Sequence, residues 1–215
     1  MTDESDTTEA QQFWDDFYRQ HEHAGSGKAN PVLVGIVGSL PAGTALDLGS
    51  GEGSDAIWLA RAGWRVTAVD VSATVLHRAA DRAATAGVGS QIDWQQHDLA
   101  RTFPSGAFDL VSAQFLHSPV DFPREHVMQC AAGAVAPGGL LLIVGHAAFP
   151  PWAENPCPHP EANFPTPEEV LASLDLPPGK WHTERLESTA RQAIGPNGQT
   201  ATLTDTVVAV RHLSA

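Results

Sequence analysis

Apolar and polar positions alternate in two rhythms between residues 44 and 146. TALDLG (44–49) is a near-continuous apolar run closed by glycine, the pattern of a strand covered on both faces. GSDAIWLARAG (53–63) follows with Ile57, Leu59 and Ala60 on one helical face and Gly63 as its stop. WRVTAVD (64–70) reads as a second strand, and SATVLHRAADRAATAG (72–87) as a helix with Ser72 as N-cap and Gly87 as C-cap. QIDWQQHD (91–98) is a third strand and FDLVSAQFLH (108–117) a fourth. REHVMQCAAGAVAPGG (124–139) reads as a helix stopped by Pro-Gly-Gly, and LLLIVGH (140–146) as a fifth strand. Strands alternating with helices predict a mostly parallel sheet with helices on both faces.

After residue 146 the rhythm changes. Residues 147–168 form a proline-rich loop that leaves the carboxyl end of the fifth strand, which suggests a lid on the substrate side. PTPEEVLASL (165–174) has Thr166 as cap and Pro167 at the first helical position. KWHTERLES (180–188) and ATLTDTVVAVRHL (201–213) alternate and predict an antiparallel hairpin at the sheet edge. The expected architecture is α/β, a three-layer sandwich around a seven-stranded, mostly parallel sheet with an antiparallel C-terminal hairpin. We read 1–215 as a single domain: a helical segment over 1–43, a core over 44–146, the loop over 147–168, and a closing helix and hairpin over 169–215.

The chain has 215 residues, 42% of them hydrophobic, enough for one substantial core. Twelve Lys and Arg face 25 Asp and Glu, a formal charge of −13 that repels nucleic acid and anionic lipid. The expected partner is a small molecule. The start, MTDESDTTEAQQ, has neither the basic flank nor the apolar stretch of a secretory signal, and no run approaches the ~20 apolar residues of a membrane span. The expected location is the cytoplasm. Cys130 and Cys157 form no CxxC pair and are expected to be reduced thiols. Charges in both hairpin strands discourage open-ended pairing and predict a monomer or a weak homodimer.

The chemistry gathers at ALDLGSGEG (45–53), where an aspartate ends an apolar run and glycines stand at every second position. Gly49, Gly51 and Gly53 allow a tight turn and close approach of a ligand to the main chain. A dinucleotide fingerprint wants a sixth-place glycine, but Ser54 stands there; a phosphate loop wants Lys, and neither Lys nor Arg occurs from 44 to 60. Asp47 and Glu52 instead suit a ligand with positive charge. Asp70, at the end of the second strand, can accept both hydroxyls of a ribose, and Asp98 can accept from an adenine amino group. Three acids at three successive strand ends define one crevice.

ALDLGSGEG, VTAVDVS, HDL, FDLVSAQFLH and APGGLLLIVGH together resemble the class I S-adenosylmethionine-dependent methyltransferases. FWDDFYRQ and GEGSDAIWLARAGWRVTAVD resemble most the small bacterial tellurite-resistance and thiopurine or thiol methyltransferases within that class. The resemblance implies S-adenosyl-L-methionine as cofactor and S-adenosyl-L-homocysteine as product. It implies that Gly49, Ser50 and Gly51 pass beneath the methionine part and that Asp47 holds the ammonium. Asp70 would take the ribose, Val71 would pack on the adenine, Asp98 and Leu99 would meet its edge, and Gln114 would sit near the methyl group. Such relatives often carry a tryptophan before Ser-Gly in the amino-terminal segment; here Gly25 stands at that place, so the cover over the methionine end differs.

His117 and His146 follow the fourth and fifth strands and are expected to face the crevice as candidate proton acceptors for a hydroxyl or thiol. Cys157 and His159 lie in the loop, but no short ligand spacing accompanies them, and no metal is expected. Each feature has a plainer use: Asp98 can cap a turn, the histidines can cap strand ends, and Phe13, Trp14, Phe17 and Tyr18 at helical spacing can be a packing stripe. The expected function is methyl transfer to a thiol, chalcogen or hydroxyl of a small molecule. The alternatives are a cofactor-binding protein without transfer and a nicotinamide-dependent reductase.

Overall fold

The computed structural model describes residues 7–21, 27–152, 164–195 and 197–214. Its strands are β1 Thr44–Leu48, β2 Arg65–Asp70, β3 Ile92–Gln96, β4 Phe108–Gln114, β5 Val135–His146, β6 Trp181–Ile194 and β7 Thr200–His212. They form one sheet in the order β3-β2-β1-β4-β5-β7-β6. The first five run parallel, and β7 lies antiparallel between β5 and β6. The helices are α1 Glu9–Gln20, α2 Pro31–Val37, α3 Ser54–Arg61, α4 Ala73–Thr85, α5 Arg124–Gly133 and α6 Pro167–Ser173.

Side chains alternate across the central strands and so build two cores. Leu140, Leu142 and Val144 of β5 join Ala45, Leu110, Ile57, Leu59, Leu33 and Val37 on the face of α2 and α3. Leu141 and Ile143 join Leu46, Leu48, Val111, Val127, Met128 and Val170 on the face of α5 and α6. Sequence signals set the helix ends as expected: the Ser72 hydroxyl accepts from Val75 N–H, and Thr166 and Glu169 form a reciprocal capping box.

Three boundaries differ from the sequence reading. The helix expected over 124–139 ends at Gly133, and Val135 already pairs with Phe108. Ala134 O accepts from Phe108 N–H at 2.9 Å, and the residues up to Gly139 form a bulged approach, because β4 continues at Leu110 against Leu140. A Cβ on Gly139 would stand 2.8 Å from Phe108 O, so Pro-Gly-Gly is a strand entry here and not a helix stop. The fourth strand ends at Gln114, because Phe115 turns into the left-handed region at φ 52°. The hairpin strands run on through 191–194 and take in Thr200, and Gly195 N–H donates to Gln199 O at 2.7 Å between them.

Candidate active site

The carboxyl ends of β1, β2, β3 and β4 meet at one crevice, roofed by α1. The turn after β1 carries Gly49 at φ 70°, Gly51 at φ 50° and Gly53 at φ 74°. A Cβ on Gly49 would stand 2.6 Å from Leu116 Cδ1, and one on Gly51 would stand 3.3 Å from the Tyr18 hydroxyl. Leu116 and Tyr18 therefore lie directly over the bare backbone of the turn.

Asp47 is buried at the end of β1, and among the described residues its Oδ2 has no hydrogen-bond partner, as is also true of Ser50 Oγ. Burial first, then the neighbouring Asp55 and Asp70 carboxylates, raise Asp47 well above the usual carboxylate range. Asp55 is itself raised by burial, although it accepts from Asn30 N–H at 2.6 Å. Asp70 accepts from Gly51 N–H at 2.9 Å and from Ser72 N–H at 3.0 Å; burial still raises it. Tyr18 is pushed upward by burial, then by Asp70 and Glu52, so it remains a neutral phenol. Arg82 meets the turn at Glu52, donating to Glu52 O at 2.8 Å and pairing with Glu52 Oε2 at 3.3 Å, but among the described residues no cation pairs with Asp47, Asp55 or Asp70.

A cavity of about 110 Å³ lies beside the turn, lined by Ala10, Trp14, Tyr18, Gly49, Asp70, Val71, His97, Asp98, Leu99, Phe115, Leu116, His117, Ser118 and Phe122. Of the residues expected from sequence, Gly49, Asp70, Val71, Asp98, Leu99 and His117 are brought together in its wall. Asp47, Ser50, Gly51, Gln114 and His146 stand behind that wall or beside it. Asp98 Oδ1 accepts from Ala100 N–H at 3.1 Å and so closes the turn after β3, while Oδ2 lies 3.8 Å from Arg101. Gln114 accepts from Asn30 Nδ2 at 2.9 Å and donates to Ser112 Oγ at 2.9 Å.

The two histidines differ. His117 Nε2 stands 3.4 Å from His146 N–H, a long contact in which the ring nitrogen accepts. Burial first, then Arg124 and His146, depress His117 to about 4. His146 stacks on Phe115 at 4.3 Å and faces His117 at 5.7 Å between ring centres. Its Nδ1 lies 3.7 Å from Asp205 Oδ1.

Sequence reading missed four contributors. Asn30 bridges Asp55 and Gln114 and caps α2 through Val32 N–H; the Asn-Pro pair at 30–31 is a helix-start signal. Asp205 and Arg191 come from the hairpin, and Tyr18 from the expected packing stripe. Among the described residues no three of His, Cys, Asp or Glu gather in a way that could hold a metal ion. Cys157, His159 and Gly25 lie outside the described residues, as do residues 153–163 of the expected lid.

The order 3-2-1-4-5-7-6 with an antiparallel seventh strand, together with the glycine turn and its strand-end acids, defines the class I S-adenosylmethionine-dependent methyltransferase fold. Residues 45–139 match the methyltransferase domain family. The chain is 32% identical over 121 residues to a 2-heptyl-1-hydroxyquinolin-4(1H)-one methyltransferase of Mycobacteroides abscessus, covering 54% of this chain and 52% of that protein. It spans about half the length or less of the first curated relatives it matches. Among solved structures, one described for the conversion of a disulfide bond into a thioacetal group during echinomycin biosynthesis superposes with TM-score 0.71 at 22% identity, over 94% of this chain and 93% of that one. TehB from Haemophilus influenzae superposes with TM-score 0.68 at 17% identity, over 92% and 66%. These likenesses show the fold.

The crevice fits the cofactor of that class. The unpaired Asp47 Oδ2 and Ser50 Oγ are buried polar atoms that lack partners, and an ammonium beside them would supply what the acidic pocket lacks. The glycine turn leaves a cradle that a single Cβ would fill. Among the described residues no helix is long and apolar enough to cross a membrane.

Proposed function

We propose that this protein transfers a methyl group from S-adenosyl-L-methionine to a thiol, chalcogen or hydroxyl of a small molecule. The observation that carries this reading is the Asp47 carboxylate oxygen, unpaired among the described residues, at a glycine turn beside buried Asp70 and half-buried Asp55, with the nearby Arg82 taken by Glu52. Bound there, the cofactor supplies an electrophilic methyl group that needs only an aligned nucleophile. Asp47 and Ser50 would hold the ammonium end. Asp70 would take the ribose with the lone pairs that remain beside the bonds its oxygens accept from the Gly51 and Ser72 N–H groups. Val71 and Leu99 would flank the adenine with Asp98 at its edge, and Gln114, held by Asn30 and Ser112, would stand near the reacting carbon.

A small acceptor is supported by the wall of the cavity away from the residues given to the cofactor, where Phe115, His117 and Phe122 offer compact, largely apolar surfaces. A monomer or weak dimer is supported by the outer edge of β6, where Glu184, Arg185 and Glu187 are exposed beside a bulge at Thr183/Arg185.

Calorimetry with S-adenosylhomocysteine tests the cofactor site, and a methyl-transfer assay over mixed thiols and phenols tests the reaction. Binding in wild type that falls by at least about tenfold in Asp70→Ala supports the reading, since each charge-assisted hydrogen bond contributes about 1.5–3 kcal/mol. Unchanged affinity in that variant, or preference for NADH, removes it.

A further inference from the structure

The hairpin does more than close the sheet. Antiparallel pairing sets Asp205 of β7 directly opposite His146 of β5, and Asp205 is 1% exposed. Its Oδ2 accepts from Arg191 Nε, and its Oδ1, which has no hydrogen-bond partner, lies 3.7 Å from His146 Nδ1. Arg191 reaches back from β6 so that its guanidinium carbon stands 5.4 Å from the centre of the Phe115 ring. Phe115 and His117, the rings on either side of His146, both line the cavity. His146 is thus stacked between two rings with its Nδ1 facing a buried carboxylate at ion-pair distance, and that carboxylate is itself held by an arginine.

His117 cannot share this role. Its Nε2 is occupied by the His146 amide, which places its hydrogen on Nδ1, and it has no carboxylate partner among the described residues. It is a neutral donor in the wall. Among the described residues His146 meets its neighbours through Nδ1 and the ring faces, which leaves Nε2 as the nitrogen able to take a proton.

We propose that His146, oriented by Asp205 and Arg191, takes the proton from an unionised aromatic hydroxyl, so that the preferred acceptors are neutral phenol-type compounds. This rests on the cofactor site argued above. A carboxylate behind an imidazole matters only where the nucleophile has a proton to lose, since it stabilises the imidazolium that forms. A phenol with pKa near about 10 needs that help at neutral pH, whereas a thiol near about 8.5 already supplies some anion. The rings of Phe115, His117 and Phe122 on one side of the cavity fit a flat uncharged body. The hydroxyl oxygen forms the new bond to the methyl carbon as the carbon–sulfur bond breaks and its electron pair stays on sulfur. The phenolic proton goes to His146 Nε2 and then to water. His146 is the catalytic residue; Asp205 and Arg191 position it.

The test compares wild type, His146→Gln and Asp205→Asn at pH 7 with 2-naphthol, which is unionised there, and pentafluorophenol, which is ionised, after calorimetry with S-adenosylhomocysteine on each protein. The expected result is a loss in kcat of about 100-fold for His146→Gln and at least about tenfold for Asp205→Asn with 2-naphthol. With pentafluorophenol the loss shrinks to less than about threefold, and S-adenosylhomocysteine affinity is unchanged throughout. Equal losses with both acceptors would overturn the proposal, since a structural role does not distinguish them. Should Asp205→Asn fail to fold, His146→Gln alone decides. Wild type that binds S-adenosylhomocysteine but methylates thiols and no phenol, or neither, overturns the hydroxyl assignment and leaves the cofactor site standing. Wild type that does not bind S-adenosylhomocysteine at all overturns the underlying reading instead.

Discussion

The Ser72 hydroxyl donates to Asp15 Oδ1 at 2.6 Å while accepting from Val75 N–H at 3.2 Å, so a single oxygen both starts α4 and fastens α1 across it. Asp15 also accepts from Thr74 N–H at 3.0 Å, adding a carboxylate at the positive end of α4. In return Arg78 of α4 donates to Tyr18 O at 2.7 Å and His21 O at 3.3 Å, at the carboxyl end of α1. Each helix caps the other, and the roof over the crevice is held by polar contacts at both ends.

Asp15→Ala therefore loosens the roof. Leaving the Ser72 hydroxyl without its acceptor costs about 1–3 kcal/mol in the docking of α1. Hydrogen exchange of the α1 amides should accelerate by at least about tenfold while β1 and β4 stay protected. Burial acts to raise Asp15, but the bonds from Ser72 and Thr74 and the nearby Arg19 outweigh it and hold the carboxyl below its ordinary value. A depressed acid contributes stability that is complete above the unfolded value near 3.8 and is lost as pH falls through the folded value. Exchange in α1 should thus quicken below about pH 4 in wild type and lose that dependence in the variant.

Asp47 carries the opposite sign. Its raised pKa means that the folded chain keeps a proton the unfolded chain gives up, so stability falls as pH rises from the unfolded value near 3.8 through the raised one. Asp47→Asn should melt higher than wild type at pH 7 and show less difference at pH 4, while its affinity for S-adenosylhomocysteine drops. Differential scanning calorimetry at the two pH values checks the first part. Titration in buffers of different ionisation enthalpy checks a corollary, that the incoming ammonium expels a proton from the acidic pocket in wild type.

Gly49→Ala combines two penalties, a side chain at φ 70° and a Cβ 2.6 Å from Leu116 Cδ1. The backbone term alone is about 1 kcal/mol. S-adenosylhomocysteine affinity should fall by more than about tenfold, and Leu116→Ala added to Gly49→Ala should recover part of the stability but little of the affinity. Full recovery of affinity would show that the bare backbone is not what the ligand needs.

His117, depressed to about 4, stays neutral when an unfolded imidazole has already charged. Between about pH 6.5 and 4 the unfolded chain binds the extra proton, so this residue withdraws stability as pH falls through that window. His117→Gln should flatten the melting temperature across that range, and a proton-detected titration of the wild-type ring should show no charging above about pH 5.

The layered α/β fold and the acids at the ends of β1, β2 and β3 were legible because each depends on neighbours in sequence: an apolar run, a glycine turn, a cap. Asp205 was not. LTDTVVAV reads as an alternating edge strand, and only the register of β7 against β5, some sixty residues away in the chain, turns that aspartate into a partner of His146. Arg191 was hidden for the same reason, lying in a stretch read as a turn that is in fact strand. Ala136-Pro137-Gly138-Gly139 misled because the same residues that stop a helix also permit a bulged strand, and only Phe108 across the sheet decides between them. Roles assigned to Asp98 and Gln114 rest on residues whose side chains already have protein partners, which no local pattern announces.

The place of β7 in the sheet bears on how the chain is made. It is the last strand to emerge in this sequence, yet it lies inside, between β5 and β6. During synthesis β5 waits with Leu140, Leu142 and Val144 on one face, Leu141 and Ile143 on the other, and an unpaired edge. β6 cannot cover that edge first without occupying the wrong position. The hairpin must zip locally and then dock as a unit, so pairing of the β5 edge is deferred until residue 212 has left the ribosome. A chain stalled near residue 199 would hold a finished glycine turn beside an open, sticky strand, the kind of intermediate that chaperones exist to shield.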